Sequence, residues 1–162
     1  MKKIMFLLIT AVLAAGSVFA QSGSRALPDL NVVFGENASG PSYTLKLDNN
    51  ETAIAIARHV GSTSWALPIV GFEGFENSDV MHYYDIPGRY VIPADPKAVK
   101  AEKAGEVYYS KPNRLLLFFH DAEVKGNFTK VGEFEATDEF IEAVEQNPVL
   151  DFWGVMMINV ER

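Results

Sequence analysis

Arg114-Leu115-Leu116-Leu117-Phe118-Phe119-His120 is the stretch that decides the architecture. Leu115 to Phe119 is five apolar residues without a polar position to face water. A half-exposed strand alternates apolar with polar, so an unbroken run of this length between charged neighbours reads as a strand covered on both faces. Such a strand belongs inside a sheet, with a partner along each edge. Its upstream partner is Glu106 to Tyr109, joined to it by the turn Ser110-Lys111-Pro112-Asn113. Downstream, Lys125-Gly126-Asn127 turns the chain into another strand, Phe128 to Glu135.

Further out, local signals set the remaining elements. Thr137 caps a helix with Asp138 and Glu139 in its first turn and Phe140, Ala143 and Val144 on its buried stripe. Pro148 ends that connection, and Val149 to Val160 is a final strand with Met156, Ile158 and Val160 on one face. Toward the N-terminus, Leu30 to Phe34 and the alternating Tyr43 to Asp48 form a hairpin around Gly35 to Pro41. Asn49 or Asn50 caps a helix that places Ala53, Ile56, Ala57 and Val60 on one stripe and ends at Gly61. Ser62 to Pro93 is divided by Pro68, Gly71, Gly74 and Pro87 into short extended pieces rich in aromatics. Asp95 to Gly105, with Pro96 at a first helical position, reads as one or two helical turns. The sum is roughly seven strands and two or three short helices. Contiguous short strands with tight turns point to a mostly β fold, a closed or partly open antiparallel β-barrel.

The first twenty residues carry a different signal. Lys2 and Lys3 precede an apolar stretch, Ile4 to Leu13, then small residues and Val18-Phe19-Ala20. That order is a bacterial-type signal peptide with cleavage after Ala20. The apolar core falls short of the roughly 20 residues that span a bilayer, so no membrane anchor is expected after cleavage. Residues 1–20 are thus read as the signal peptide, 21–28 as a loose leader and 29–162 as one domain, periplasmic or secreted. The whole chain has 14 basic and 21 acidic residues; without Lys2 and Lys3 the balance is 12 against 21, a net charge of −9. That sign opposes binding to phosphate backbones, and nucleic acid is not an expected partner. The chain has no cysteine, which excludes a disulfide framework, thiolate chemistry and lipid attachment through a lipobox.

In four segments the chain resembles the bacterial cyclophilin-like domains, which share the cyclophilin barrel without its enzyme signature. Leu47 to Ala53 is similar to that family's strand-to-helix junction. Tyr83-Tyr84-Asp85-Ile86-Pro87 resembles its short aromatic element ending in Leu/Ile-Pro. Ala104 to Tyr109, then Pro112 and Leu115 to Phe119, is similar to its Gly-Asp strand, proline turn and apolar strand. Lys130-Val131-Gly132-Glu133 resembles the strand before its late helix. The segments, in order, extend over residues 43 to 160. Glu106 stands where the family has Asp, and Asn113-Arg114 replaces its Gly-Asn. Cyclophilins lower a peptidyl-proline barrier of about 18–20 kcal/mol, using an arginine near the proline amide, an aromatic pocket and a Phe-Met-x-Gln-Gly signature. That signature is absent from this sequence. The resemblance therefore implies the barrel without the catalysis.

Other chemistry has thin support. His59, His82 and His120 do not pair at metal-ligand spacing, and no metal or cofactor is expected. No serine sits in a Gly-x-Ser-x-Gly elbow. Glu133 and Glu135 alternate as solvent-facing strand residues do, and Glu73 and Glu76 fall in a turn-rich stretch. Lys97, Lys100 and Lys103 would share a face if their segment were helical, a solvated surface more than an anion site. Three Asn-x-Ser/Thr triplets, at Asn37, Asn50 and Asn127, read as turns and a helix cap. Tyr83, Tyr84, Tyr90, Tyr108 and Tyr109 are more telling, since their hydroxyls prefer water or a partner, and with Arg89 and His120 they would suit a groove for a peptide or a small ring. The expected role is a noncatalytic binding module for a peptide or small ligand, with Tyr84, Arg89, Tyr109, Phe119 and His120 as site residues. The alternative is a weak peptidyl-prolyl cis-trans isomerase, with Arg89 the first arginine to test. A structural part of an envelope assembly is a third class, marked by a co-purifying protein.

Overall fold

The apolar run lies between two strands in a computed structural model that describes residues 27–35, 40–69, 76–147 and, as backbone only, 155–160. In chain order the elements are β1 (Leu30–Phe34), β2 (Ser42–Leu47), α1 (Glu51–Ser62), β3 (Trp65–Pro68), β4 (Met81–Asp85), β5 (Lys97–Val99), β6 (Glu106–Ser110), β7 (Arg114–Phe118), β8 (Gly126–Glu133), α2 (Asp138–Glu145) and β9 (Val155–Val160). Eight strands follow one path, β3-β9-β1-β2-β8-β6-β7-β4, while β5 pairs with β8 beside it. Every named pair is antiparallel. The sheet curls until its ends approach, where an antiparallel bridge links Ile69, just past β3, to Tyr84 in β4. The result is a partly open barrel.

The β7 strand pairs with β6 on one edge and β4 on the other, and Leu115 to Phe119 are each at most 3% exposed. Alternation divides them between two cores. Leu115, Leu117 and Phe119 join the barrel interior with Leu30, Val32, Leu67, Tyr84 and Val131. Leu116 and Phe118 face outward, against Met81 and Tyr108, under Val99, Val124 and Phe128. An outer core of this kind explains why the run has no polar position.

Both helices begin as their sequences dictate. Asn50 caps α1 by accepting from the Ala53 amide at 2.9 Å, and Thr137 caps α2 by accepting from the Phe140 amide at 3.2 Å. Ala53, Ile56, Ala57 and Val60 are buried, as are Phe140 and Val144. Two readings are corrected. The α1 helix runs through Gly61 and stops at Thr63, whose amide closes on the His59 carbonyl. The segment from Asp95 to Gly105 is not helical: Lys97–Val99 pairs with Phe128, Asn127 and Gly126, and Glu102 bridges Ala122. Pairing with β8, and Val99 packing on the outer core, outweigh the segment's helix-favouring composition. With β3, β4 and β5 formed in stretches that gave weak sequence signals, the described strands number nine rather than seven. Residues 1–20, read from the sequence as a signal peptide, residues 21–26 of the expected leader, Gly71 to Phe75, Pro148 and residues 149–154 of the expected final strand lie outside the described residues.

Candidate functional site

Register builds a groove on the outer face of β4 and β7. Across that pair Met81 stands opposite Phe118, Tyr83 opposite Leu116 and Asp85 opposite Arg114, all on the outer side. His82 opposite Leu117 and Tyr84 opposite Leu115 take the inner side. Directly opposed side chains lie close enough to interact, and the Arg114 guanidinium binds the Asp85 carboxylate through Nε at 2.7 Å and Nη2 at 3.4 Å. It also lies over the Tyr83 ring, 5.3 Å from the centroid. Burial is the main influence raising the Tyr83 hydroxyl above its ordinary pKa; Arg114 opposes it and Glu76 adds to it. The phenol therefore stays a neutral donor.

The groove is about 970 Å³. Met81, Leu116 and Phe128 give it apolar surface, and the turn from Ser110 to Asn113 lines it together with Glu76, Glu123 and Lys125. Its polar lining includes the held arginine, the Tyr83 phenol, Asn77, Ser110, Asn113 and side chains of both charges. Such an arrangement recognises shape and hydrogen-bonding groups along an elongated guest.

The five residues singled out from sequence go to two regions. Tyr84, Tyr109 and Phe119 are in the barrel interior at 0%, 2% and 3% exposure. Both tyrosine hydroxyls are engaged: Tyr109 donates to the Pro112 carbonyl at 2.6 Å, and the Tyr84 oxygen accepts from the Asn147 amide at 3.4 Å. His82 brings Tyr84 and Phe119 together, with ring centroids 6.4 and 4.8 Å from its own. His120 is exposed beside Phe119 and binds Glu145 at 2.7 Å. Arg89 is apart from them. It donates to the Tyr90 hydroxyl at 3.0 Å and lies over that ring, which packs on His59 and Trp65. Among the five, then, only Arg89 and His120 reach solvent, and none lines the outer groove. Of its residues, Tyr83 is among the tyrosines noted in the sequence, while Met81, Asp85, Arg114, Leu116 and Phe128 carry no site signal there. The signal that could have found them is strand parity: in Tyr83-Tyr84 one ring faces in and the other out, and the hairpin register places Asp85 against Arg114.

A family model described as the cyclophilin-like family matches residues 37–150. No curated protein and no solved structure matches the chain.

Proposed function

This chain belongs to the cyclophilin-like family, and from that premise we propose that its domain is a noncatalytic binding module for a peptide or small ligand, working outside the cytoplasm. The observation that carries the reading is the outer groove, with an apolar floor of Met81, Leu116 and Phe128 and a fixed donor, Arg114, held by Asp85. Export is supported by Lys2-Lys3, the apolar stretch after them and Val18-Phe19-Ala20. Mass spectrometry of the protein from an expressing cell's envelope or medium should give a chain starting at Gln21; an intact Met1 form there sinks the export reading.

The groove reading is tested by NMR titration of the labelled protein with a mixed peptide pool. Amides of β4 and of the turn 110–113 should shift in the wild type and stay still in Arg114→Ala, with His120→Ala behaving as wild type. Shifts confined to other faces would sink the groove as the site. A second reading, weak peptidyl-prolyl isomerisation, draws on Arg89 fixed against Tyr90, His59 and Trp65, an arginine beside aromatic rings. A coupled proline-isomerisation assay decides between them. Activity above background that disappears in Arg89→Ala would replace the noncatalytic reading.

A further inference from the structure

Beside the first groove lies a second hollow, and Phe128 lines both. The hollow measures about 740 Å³ where the start of α1 meets β5 and β8, with Ile54, Pro93, Val99 and Tyr108 on its walls. The Phe128 ring rests on the main chain of Gly126: a Cβ at that position would stand 2.1 Å from the ring's Cζ. Any other residue at 126 would displace the ring from this position.

Charge separates the two hollows. In the first, Glu76 and Glu123 balance Lys111 and Lys125, and Asp85 balances Arg114. In the second, Lys97 is matched by Asp95 at 3.2 Å, and Lys130 by Glu106 at 2.9 Å and Glu133 at 2.8 Å. Asp48 and Glu51 also line it, and neither joins an ion pair among the described residues. The N-terminus of α1 supplies about half a positive charge, less than either carboxylate carries. The second hollow is therefore apolar-walled and net negative. Those properties match a side chain with an aliphatic stem and a cationic head.

We infer that the second hollow is a subsite for a lysine or arginine side chain of the peptide whose body occupies the first groove, the chain crossing over Phe128. The inference rests on the peptide reading of that groove, and two measurements separate their fates. In the first, n-butylammonium, n-butanol and n-butyrate are titrated into the labelled protein. Amides of Asp48 to Thr52 and Phe128 to Lys130 should respond to n-butylammonium at concentrations about threefold to fivefold below n-butanol, with n-butyrate weakest. The double variant Asp48→Asn, Glu51→Gln should erase that ranking while the β6 and β7 amides hold their positions. Equal responses to the three probes, or a preference that survives the double variant, overturn the subsite. In the second, lysine-scanned alanine–proline decapeptides are added, with norleucine in place of lysine as control. Lysine peptides should shift Tyr83 to Asp85 and Asp48 to Thr52 together. Shifts at Tyr83 to Asp85 alone overturn the shared trough and leave the groove reading standing. No shift at either, with the butylammonium preference intact, overturns the groove reading and the peptide inference with it.

Discussion

The Asn50 side chain makes two bonds with different jobs. Its oxygen caps α1 at the Ala53 amide, and its nitrogen donates to the Lys130 carbonyl at 2.8 Å, tying the helix start to β8. Asn50→Ala should lower the urea-unfolding free energy by about 1–2 kcal/mol, and Asn50→Ser, which can cap without reaching Lys130, should recover part of the loss. Equal losses would mean that the cap contributes little. His82 offers a pH test. It is 8% exposed, its Nδ1 has no hydrogen-bond partner among the described residues, and burial lowers its pKa to about 4, a trend the Glu145 carboxylate opposes. In the unfolded chain the imidazole takes a proton near pH 6.5. Between those values the unfolded state binds more protons, so the neutral ring's contribution is complete above pH 6.5 and is lost as pH falls toward 4. Stability measured from pH 7 to pH 4.5 should decline more steeply in the wild type than in His82→Gln, by about 2 kcal/mol over that range. Parallel curves would sink this assignment.

At the scale of elements, β7 belongs to two cores at once, and that doubles its sensitivity. Leu117→Ala opens a cavity in the barrel interior, and Leu116→Ala opens one in the outer core. Each should cost about 2–5 kcal/mol in denaturant unfolding. A Leu116→Ala variant within about 0.5 kcal/mol of wild type would mean that the outer face is not packed. The same strand shows what could be read in advance. An uninterrupted apolar run is a local fact with one common cause, so β7, its hairpin with β6 and the cap at Thr137 were legible, and the first cap was narrowed to Asn49 or Asn50, of which Asn50 makes it. Asp95 to Gly105 was not. Its alanines, lysines and glutamate favour a helix locally, and only β8, some thirty residues downstream, turns Lys97–Val99 into a strand. Parity was hidden for a similar reason. Nothing inside Tyr83-Tyr84 says which ring faces in, because the partner strand sets that choice.

At the scale of the whole molecule, the fold was more legible than the site, since the barrel follows from runs and turns repeated along the chain. The outer groove instead gathers residues from 76–77, 81–88, 110–116 and 123–128, which share no sequence pattern and meet through topology. The junction where the curled sheet meets itself has a consequence of its own. Among the described residues, β3 and β4 are linked by the single bridge between Ile69 and Tyr84, whereas β6 pairs four residues with the strand on each side, with one register shift toward β8. Breathing of the native state should therefore begin at that line. In deuterated buffer, amide protons of β3 and β4 should exchange before those of β6 and β7, in a denaturant-insensitive phase separate from global unfolding. If all four strands exchanged together, the wall would open only by melting as a unit.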